Sequence, residues 1–237
     1  MNRLGSACAL ARQLTGVAGL VKVGSTLFTA EGPQAVKELA GLGAEIFLDL
    51  KFHDIPNTVA GAVSAAAELP NVRLMTLHAS GGLAMMKAAS EAIASRKDRP
   101  MLLGVTILTS LDAAALRSVG LLGTPGSRAV ALAKLAHKAG LDGAVSSPHE
   151  VRAIRRACGP DFLILVPSVR PKGSAANDQA RVATPADAVK AGADYLVVGR
   201  PITASESPRE SAIAISQEIT TASANSRPLQ TAAASGN

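Results

Sequence analysis

The sequence predicts one α/β domain built on a parallel β-barrel of the TIM type, and three observations predict it. Short aliphatic runs alternate with helical segments along most of the 237 residues, the pattern of successive βα units and a parallel sheet. Polar residues able to do chemistry gather just after these runs, and in a closed parallel barrel the strand C-termini converge on one rim. No G-x-G-x-x-G follows an early strand, so a doubly wound sheet with a crevice at its switch point is the weaker alternative.

In chain order, Leu4, Cys8, Ala11 and Leu14 give the start the spacing of an amphipathic helix. Arg12 and Gln13 interrupt what superficially resembles a signal peptide. Seven strands are expected, over 20–23, 45–50, 74–77, 102–107, 143–146, 162–166 and 195–198. Pro56 is expected to stop the second strand, with Asn57 or Thr58 capping a helix that begins near Val59. The glycine turns Ala139-Gly140-Leu141-Asp142 and Ala191-Gly192-Ala193-Asp194 read as helix C-caps leading into the next strand. Residues 1–219 form the single domain, and the Ala/Ser/Thr-rich tail over 220–237 is expected to be disordered, because it has little to bury.

Composition narrows the function. A hydrophobic content of 48% over this length supports one well-buried core, and aromatics at only 2% mean that it is built from Ala, Val, Leu and Ile. So few aromatic platforms leave little for base stacking, which weakens a nucleic-acid reading of the +6 net charge. Arg152, Arg155 and Arg156 on one helix, and Arg96-Lys97-Asp98-Arg99 at the end of another, read as solvated faces rather than a polyanion patch. A basic balance suits an anionic small molecule equally well. Cys8 and Cys158 stand alone without disulfide or zinc spacing, which fits a reducing cytoplasm. No run reaches the roughly 18 apolar residues of a membrane span.

The densest chemistry is Asp49-Leu50-Lys51-Phe52-His53-Asp54 at the end of the second strand. Strand side chains alternate, so Asp49 and Lys51 share one face and Leu48 and Leu50 the other. A lone Asp-x-Lys reads as a frayed salt bridge. With Asp54 following at once, beside a strand-to-helix turn, a catalytic site is the better reading. Other polar residues follow the strands in the same way: Lys22, His78 and Ser80, Thr109 and Ser110, Ser146 and Ser147, then Arg170, then Gly199 and Arg200. A glycine without a side chain admits a ligand to its backbone N–H, and the planar arginine fork suits phosphate. Arg170, Gln179 and Arg200 can thus converge on one dianion, although an arginine after a strand is, taken singly, a surface residue. His53 and His78 read as hydrogen-bonding or packing residues rather than metal ligands.

Lys22-Val23-Gly24, the ten residues from Asp49 to Thr58, Thr106-Ile107-Leu108-Thr109-Ser110 and Val198-Gly199-Arg200 resemble the orotidine 5'-phosphate decarboxylase family in its bacterial type. The resemblance covers about 1–219, the Gln179-Ala180-Arg181-Val182-Ala183-Thr184-Pro185 segment included. It implies decarboxylation of orotidine 5'-phosphate to uridine 5'-phosphate without cofactor or metal, in a cytoplasmic homodimer with no membrane or nucleic-acid partner. By resemblance, Lys51 is the proton donor, and Asp49 crowds the substrate carboxylate while holding Lys51. Asp54 and Thr58 complete the partner subunit's site. Lys22 meets the ribose, Thr109 lies near the pyrimidine, and Arg170, Gln179, Gly199 and Arg200 match the phosphate and loop contacts. The physics is consistent: an array of Lys and Asp charges is preorganised for a carbanion developing at pyrimidine C6, and phosphate binding remote from the broken bond can be directed to the transition state.

The same resemblance implies a (β/α)8 barrel with its first β-strand missing from this chain. That strand would end in a ribose-binding aspartate just ahead of Met1, the most economical account being a truncated start. Seven strands leave two unpaired edges, so reduced stability and impaired catalysis are expected of the chain as it stands. Two alternatives remain at the level of sequence. A metal-dependent phosphosugar decarboxylase or aldolase of the same superfamily shares the Asp-x-Lys-x-x-Asp core, and a non-catalytic nucleotide-phosphate-binding barrel is the reading from another class.

Overall fold

The computed structural model describes residues 3–171 and 183–224. Its elements are α1 (Leu4–Leu14), β1 (Val21–Gly24), α2 (Ser25–Glu31), α3 (Gln34–Gly41), β2 (Ile46–Phe52) and α4 (Pro56–Ala67). There follow β3 (Val72–His78), α5 (Gly82–Ile93), β4 (Met101–Val105), α6 (Ala113–Ser118), α7 (Pro125–Lys138) and β5 (Gly143–Val145). The chain continues through α8 (Val151–Cys158), β6 (Leu163–Val166), α9 (Pro185–Ala191), β7 (Tyr195–Leu196), α10 (Arg200–Thr203) and α11 (Pro208–Ala224). The seven strands are parallel and lie in sequence order, β1 to β7. This is the TIM-type α/β architecture with seven strands that the sequence predicts.

Alternation along the strands sorts side chains into two apolar layers. Ile46, Leu48, Met75, Leu77, Leu102 and Ile164 turn outward into the main core, against Leu39 of α3, Val63 of α4, Met86 of α5 and Ala136 of α7. Phe47, Leu74, Leu103 and Leu165 turn the other way and meet in an inner cluster, joined by Leu20, Val145, Tyr195 and Val197. Residues from both ends of the sheet reach that cluster, so the sheet curls on itself. Among the described residues no ladder joins β7 to β1, which are the two outer strands.

α1 stands at this seam. Its buried face is Ala7, Cys8, Ala11 and Leu14. The Arg209 guanidinium of α11 donates to the carbonyls of Gln13 (2.7 Å) and Thr15 (3.0 Å), and Glu31 of α2 accepts from the Leu4 N–H at 3.1 Å. The helix is thereby tied to α2, which follows β1, and to α11, the last helix among the described residues.

Three expectations need correction. Asn57 and Thr58 do not cap α4: the helix starts at Pro56, whose fixed φ suits the first helical position, and the N-cap is Ile55. β2 itself ends at Phe52, ahead of the proline. α11 continues to Ala224, burying Ala222, so its last turn extends beyond 219; residues 225–237 lie outside the described residues. The basic groups are not simply solvated faces either. Arg155 donates to the carbonyls of Gly159, Phe162 and Gly192 and pairs with Asp194, while Arg99 pairs with Asp142 and Arg96 with Glu68. Cys8 and Cys158 are free and buried, and none of the described helices is long and apolar enough to cross a membrane.

Candidate active site

A cavity of about 640 Å³ opens among the C-terminal strand ends. Lys22 and Gly24 of β1, Asp49 and Lys51 of β2, Thr109 after β4 and Ser146 after β5 line it. Ser168 and Arg170 after β6, with Gly199 and Arg200 after β7, complete the wall, and Ala7, Leu10, Ala11 and Leu14 of α1 form its apolar side. Residues more than 170 positions apart in sequence thus face one space, because parallel strands deliver their C-termini to the same rim.

Its charged floor is an ion-paired array. Asp49 Oδ1 receives the Lys51 ammonium at 2.7 Å and Oδ2 lies 3.3 Å from the Lys22 ammonium. The Asp49 side chain is only 12% exposed, and a carboxylate so enclosed persists only when opposite charge and hydrogen bonds compensate its lost hydration. Burial pushes its pKa up; the Lys22 and Lys51 charges, with hydrogen bonds from Lys51 and Thr76, outweigh that and hold it below the usual carboxylate value. Gly24 leaves room for this arrangement, since a Cβ there would stand 2.8 Å from Lys22 Nζ.

The backbone beneath the array is irregular. Lys51 has φ 52°, a left-handed conformation that a lysine adopts rarely, and the β2–β3 register slips between Leu48 and Phe52. The Thr76 hydroxyl, fully buried on β3, accepts the Lys51 N–H at 3.0 Å and donates to Asp49 Oδ1 at 2.9 Å. Asp49 and Lys51 do share one environment, as their spacing predicts, although Lys51 reaches it through a break in the strand.

Arg170 is 8% exposed and Arg200 is exposed, and both face the cavity beside Gly199. A Cβ at Gly199 would meet nothing within 4 Å. Thr109 Oγ1 and Ser168 Oγ lie 3.3 Å apart, joining the loops after β4 and β6. Asp54 and Thr58 stand apart from the cavity: both are exposed, and Asp54 Oδ1 accepts from the Ile55 N–H at 2.6 Å. Ile55 between them is 66% exposed. Gln179 lies outside the described residues. The His53 and His78 rings lie 5.2 Å apart between centroids, tilted by 36°. Burial first, then the His53 and Lys51 charges, lower the pKa of His78 against a smaller opposing effect of Asp49.

Two contributors escape a reading from sequence. Ser168, with φ 65°, follows β6 two residues ahead of Arg170, and no pattern in the sequence marks it. Thr76 is a polar residue inside Leu74-Met75-Thr76-Leu77, and that interruption of an apolar strand is the signal that could have found it.

Comparison with known proteins adds relatives over nearly the whole chain. A model described as the orotidine 5'-phosphate decarboxylase / HUMPS family matches residues 1–215. The chain is 52% identical over 213 residues, 90% of its length and 91% of the relative's, to an orotidine 5'-phosphate decarboxylase of Nitrosococcus oceani. It is 55% identical over 205 residues, 86% of its length and 88% of the relative's, to one from Anaeromyxobacter sp.. Among solved structures, orotidine 5'-phosphate decarboxylase from Lactobacillus acidophilus is similar with a TM-score of 0.77 at 36% identity, covering 89% of this chain and 93% of that one.

Proposed function

This chain belongs to the orotidine 5'-phosphate decarboxylase / HUMPS family, and from that membership and the site we infer that it is a carboxy-lyase converting orotidine 5'-phosphate to uridine 5'-phosphate in pyrimidine biosynthesis. The observation that carries the reading is the Lys22–Asp49–Lys51 array at one side of a cavity that Arg170 and Arg200 also line. A nucleotide with an anionic phosphate and a carboxylated ring matches those two ends.

In this reading the phosphate lies against Arg170, Gly199 and Arg200, with Gln179 joining them, and Lys22 meets the ribose. Thr109 borders the pyrimidine. The substrate carboxylate lies beside the anionic Asp49, whose repulsion is relieved as carbon dioxide leaves. The bond between C6 and the carboxyl carbon breaks, its electron pair stays on C6, and the Lys51 ammonium nearby stabilises that charge. Lys51 then gives C6 its proton and regains one from solvent.

Asp54 and Thr58 are exposed and outside their own chain's cavity, with the apolar Ile55 beside them. That arrangement supports a homodimer in which each chain lends Asp54 and Thr58 to its partner's site. Two free buried cysteines suit a reducing compartment, the cytoplasm.

The test is loss of orotidine 5'-phosphate absorbance with the purified chain, with and without chelator. Turnover indifferent to chelator is expected. Activity on a sugar phosphate alone, or only with added magnesium, would place the chain with the metal-dependent enzymes. Uridine 5'-phosphate binding without turnover would leave a nucleotide-binding barrel.

A further inference from the structure

Four atoms close a ring around the Lys51 turn. The Lys51 N–H donates to Thr76 Oγ1 (3.0 Å), Thr76 Oγ1 donates to Asp49 Oδ1 (2.9 Å), and Asp49 Oδ1 receives the Lys51 ammonium (2.7 Å). The direction of these bonds is fixed by chemistry. An amide N–H only donates, so the hydroxyl accepts there and must spend its own proton on the carboxylate. One hydroxyl therefore grips the backbone of Lys51 and, through Asp49, the far end of the same side chain. It does so where Lys51 is held at φ 52° and the β2–β3 register slips. Unusual backbone of this kind persists only when its surroundings over-determine it.

We propose that Thr76 is a positioning residue for the reaction, a clamp that holds Lys51 in its left-handed turn and fixes Asp49 against the ammonium. The proposal rests on the decarboxylase reading and deepens it. Without the hydroxyl, the Lys51 N–H loses its partner and the left-handed turn loses what holds it, so the backbone there is free to shift and carry the ammonium out of line with Asp49 and the substrate. Asp49 would also keep one donor fewer. The charged and titratable groups around Asp49 are Lys22 on β1, Lys51 on β2 and His78 on β3, and none of them replaces a neutral hydroxyl donor at Oδ1.

Thr76→Val keeps the volume and removes the hydroxyl; Thr76→Ala is a second hydroxyl-free variant, should valine disturb packing; Thr76→Ser keeps the hydroxyl. In a folded hydroxyl-free variant, kcat is expected to fall on the order of 10- to 100-fold, the loss typical of a misplaced reacting group, with KM little changed. The acid limb of the pH profile should move to higher pH, because Asp49 loses a donor that favours its ionised form. Thr76→Ser should restore most of both. An unchanged kcat in Thr76→Val, or serine as impaired as valine, overturns the proposal. A readout that needs no turnover separates this from the function itself: carboxyl carbon NMR of substrate-free protein follows the Asp49 titration. Its midpoint should rise in the hydroxyl-free variants and hold in Thr76→Ser; an unmoved midpoint overturns the clamp. A wild-type chain inert toward orotidine 5'-phosphate would overturn the reading of function while this titration still decides Thr76.

Discussion

At Lys51, backbone conformation and chemistry meet in one residue. Lys51→Ala should abolish orotidine 5'-phosphate turnover while leaving the fold intact. Alanine is no less at home than lysine at φ 52°, and Asp49, only 12% exposed, keeps Lys22 and Thr76 as partners when Lys51 is lost, so the change should cost about 1–3 kcal/mol. The melting temperature should then fall by no more than about 12 °C, and substantial residual decarboxylation in the folded variant would refute the proton-donor role. His78 and Asp49 give stability a pH dependence of one sign. Both pKa values are lowered in the folded state, so the unfolded chain binds more protons as pH falls. The His78 contribution is present above the ordinary histidine range and drains as pH drops below it; that of Asp49 drains at lower pH, through its folded-state value. Thermal midpoints should fall from pH 7.5 to 5, and His78→Gln should flatten the upper part of that decline; midpoints independent of pH would contradict it. The charged members of the site were legible because charge is costly inside an apolar strand end. Thr76 was not, because a β-branched threonine is at home in a strand whether or not its hydroxyl does anything.

Between elements, the strand order was readable from alternating aliphatic runs, whereas the ties between strands were not. The glycine turns after α7 and α9 do cap those helices, with Gly140 at φ 80° and Gly192 at φ 104°. Each is followed by an aspartate whose role no spacing rule announces. Asp142 Oδ2 accepts from the Leu102 N–H and the Arg99 guanidinium, both at 2.8 Å, and Asp194 Oδ2 accepts from the Ile164 N–H at 2.8 Å and pairs with Arg155. In both cases a carboxylate pins the start of the neighbouring strand. The start of α4 is hidden in the sequence because a proline serves equally as a strand stop and as a first helical residue. Gly143 gives the element-scale prediction: a Cβ there would collide with the carbonyl and Cβ of Leu163 and with Leu103 Cδ2, across the β5–β6 and β4–β5 pairings. Gly143→Ala should cost about 1–3 kcal/mol, read as a lower urea midpoint, and an unchanged midpoint would show that β6 yields without cost.

The molecule as a whole is a curled parallel sheet whose outer strands face each other across a seam spanned by α1. Asp54 and Thr58 are exposed and do not line their own chain's cavity, and the proposed sharing of sites is testable by complementation. Mixing Lys51→Ala chains with Asp54→Ala chains yields heterodimers in which one of the two sites carries neither substitution. Partial recovery of turnover is expected, and confirmed heterodimers without recovery would place Asp54 outside the partner's site. That sharing could not be read from residue spacing, because alternation along a strand relates side chains within one chain and is silent about a neighbour.

The chain contains one tyrosine and no tryptophan, and that tyrosine, Tyr195, sits on the outer strand β7 with its ring against the inner cluster. Nature has thereby installed a site-specific optical reporter. Tyrosine emission, followed through a urea titration, watches the seam alone, while far-ultraviolet circular dichroism averages over every helix. Coincident curves would mean that the sheet's margin melts with the body; an earlier tyrosine transition would mean that it peels away first, measured without introducing a single label.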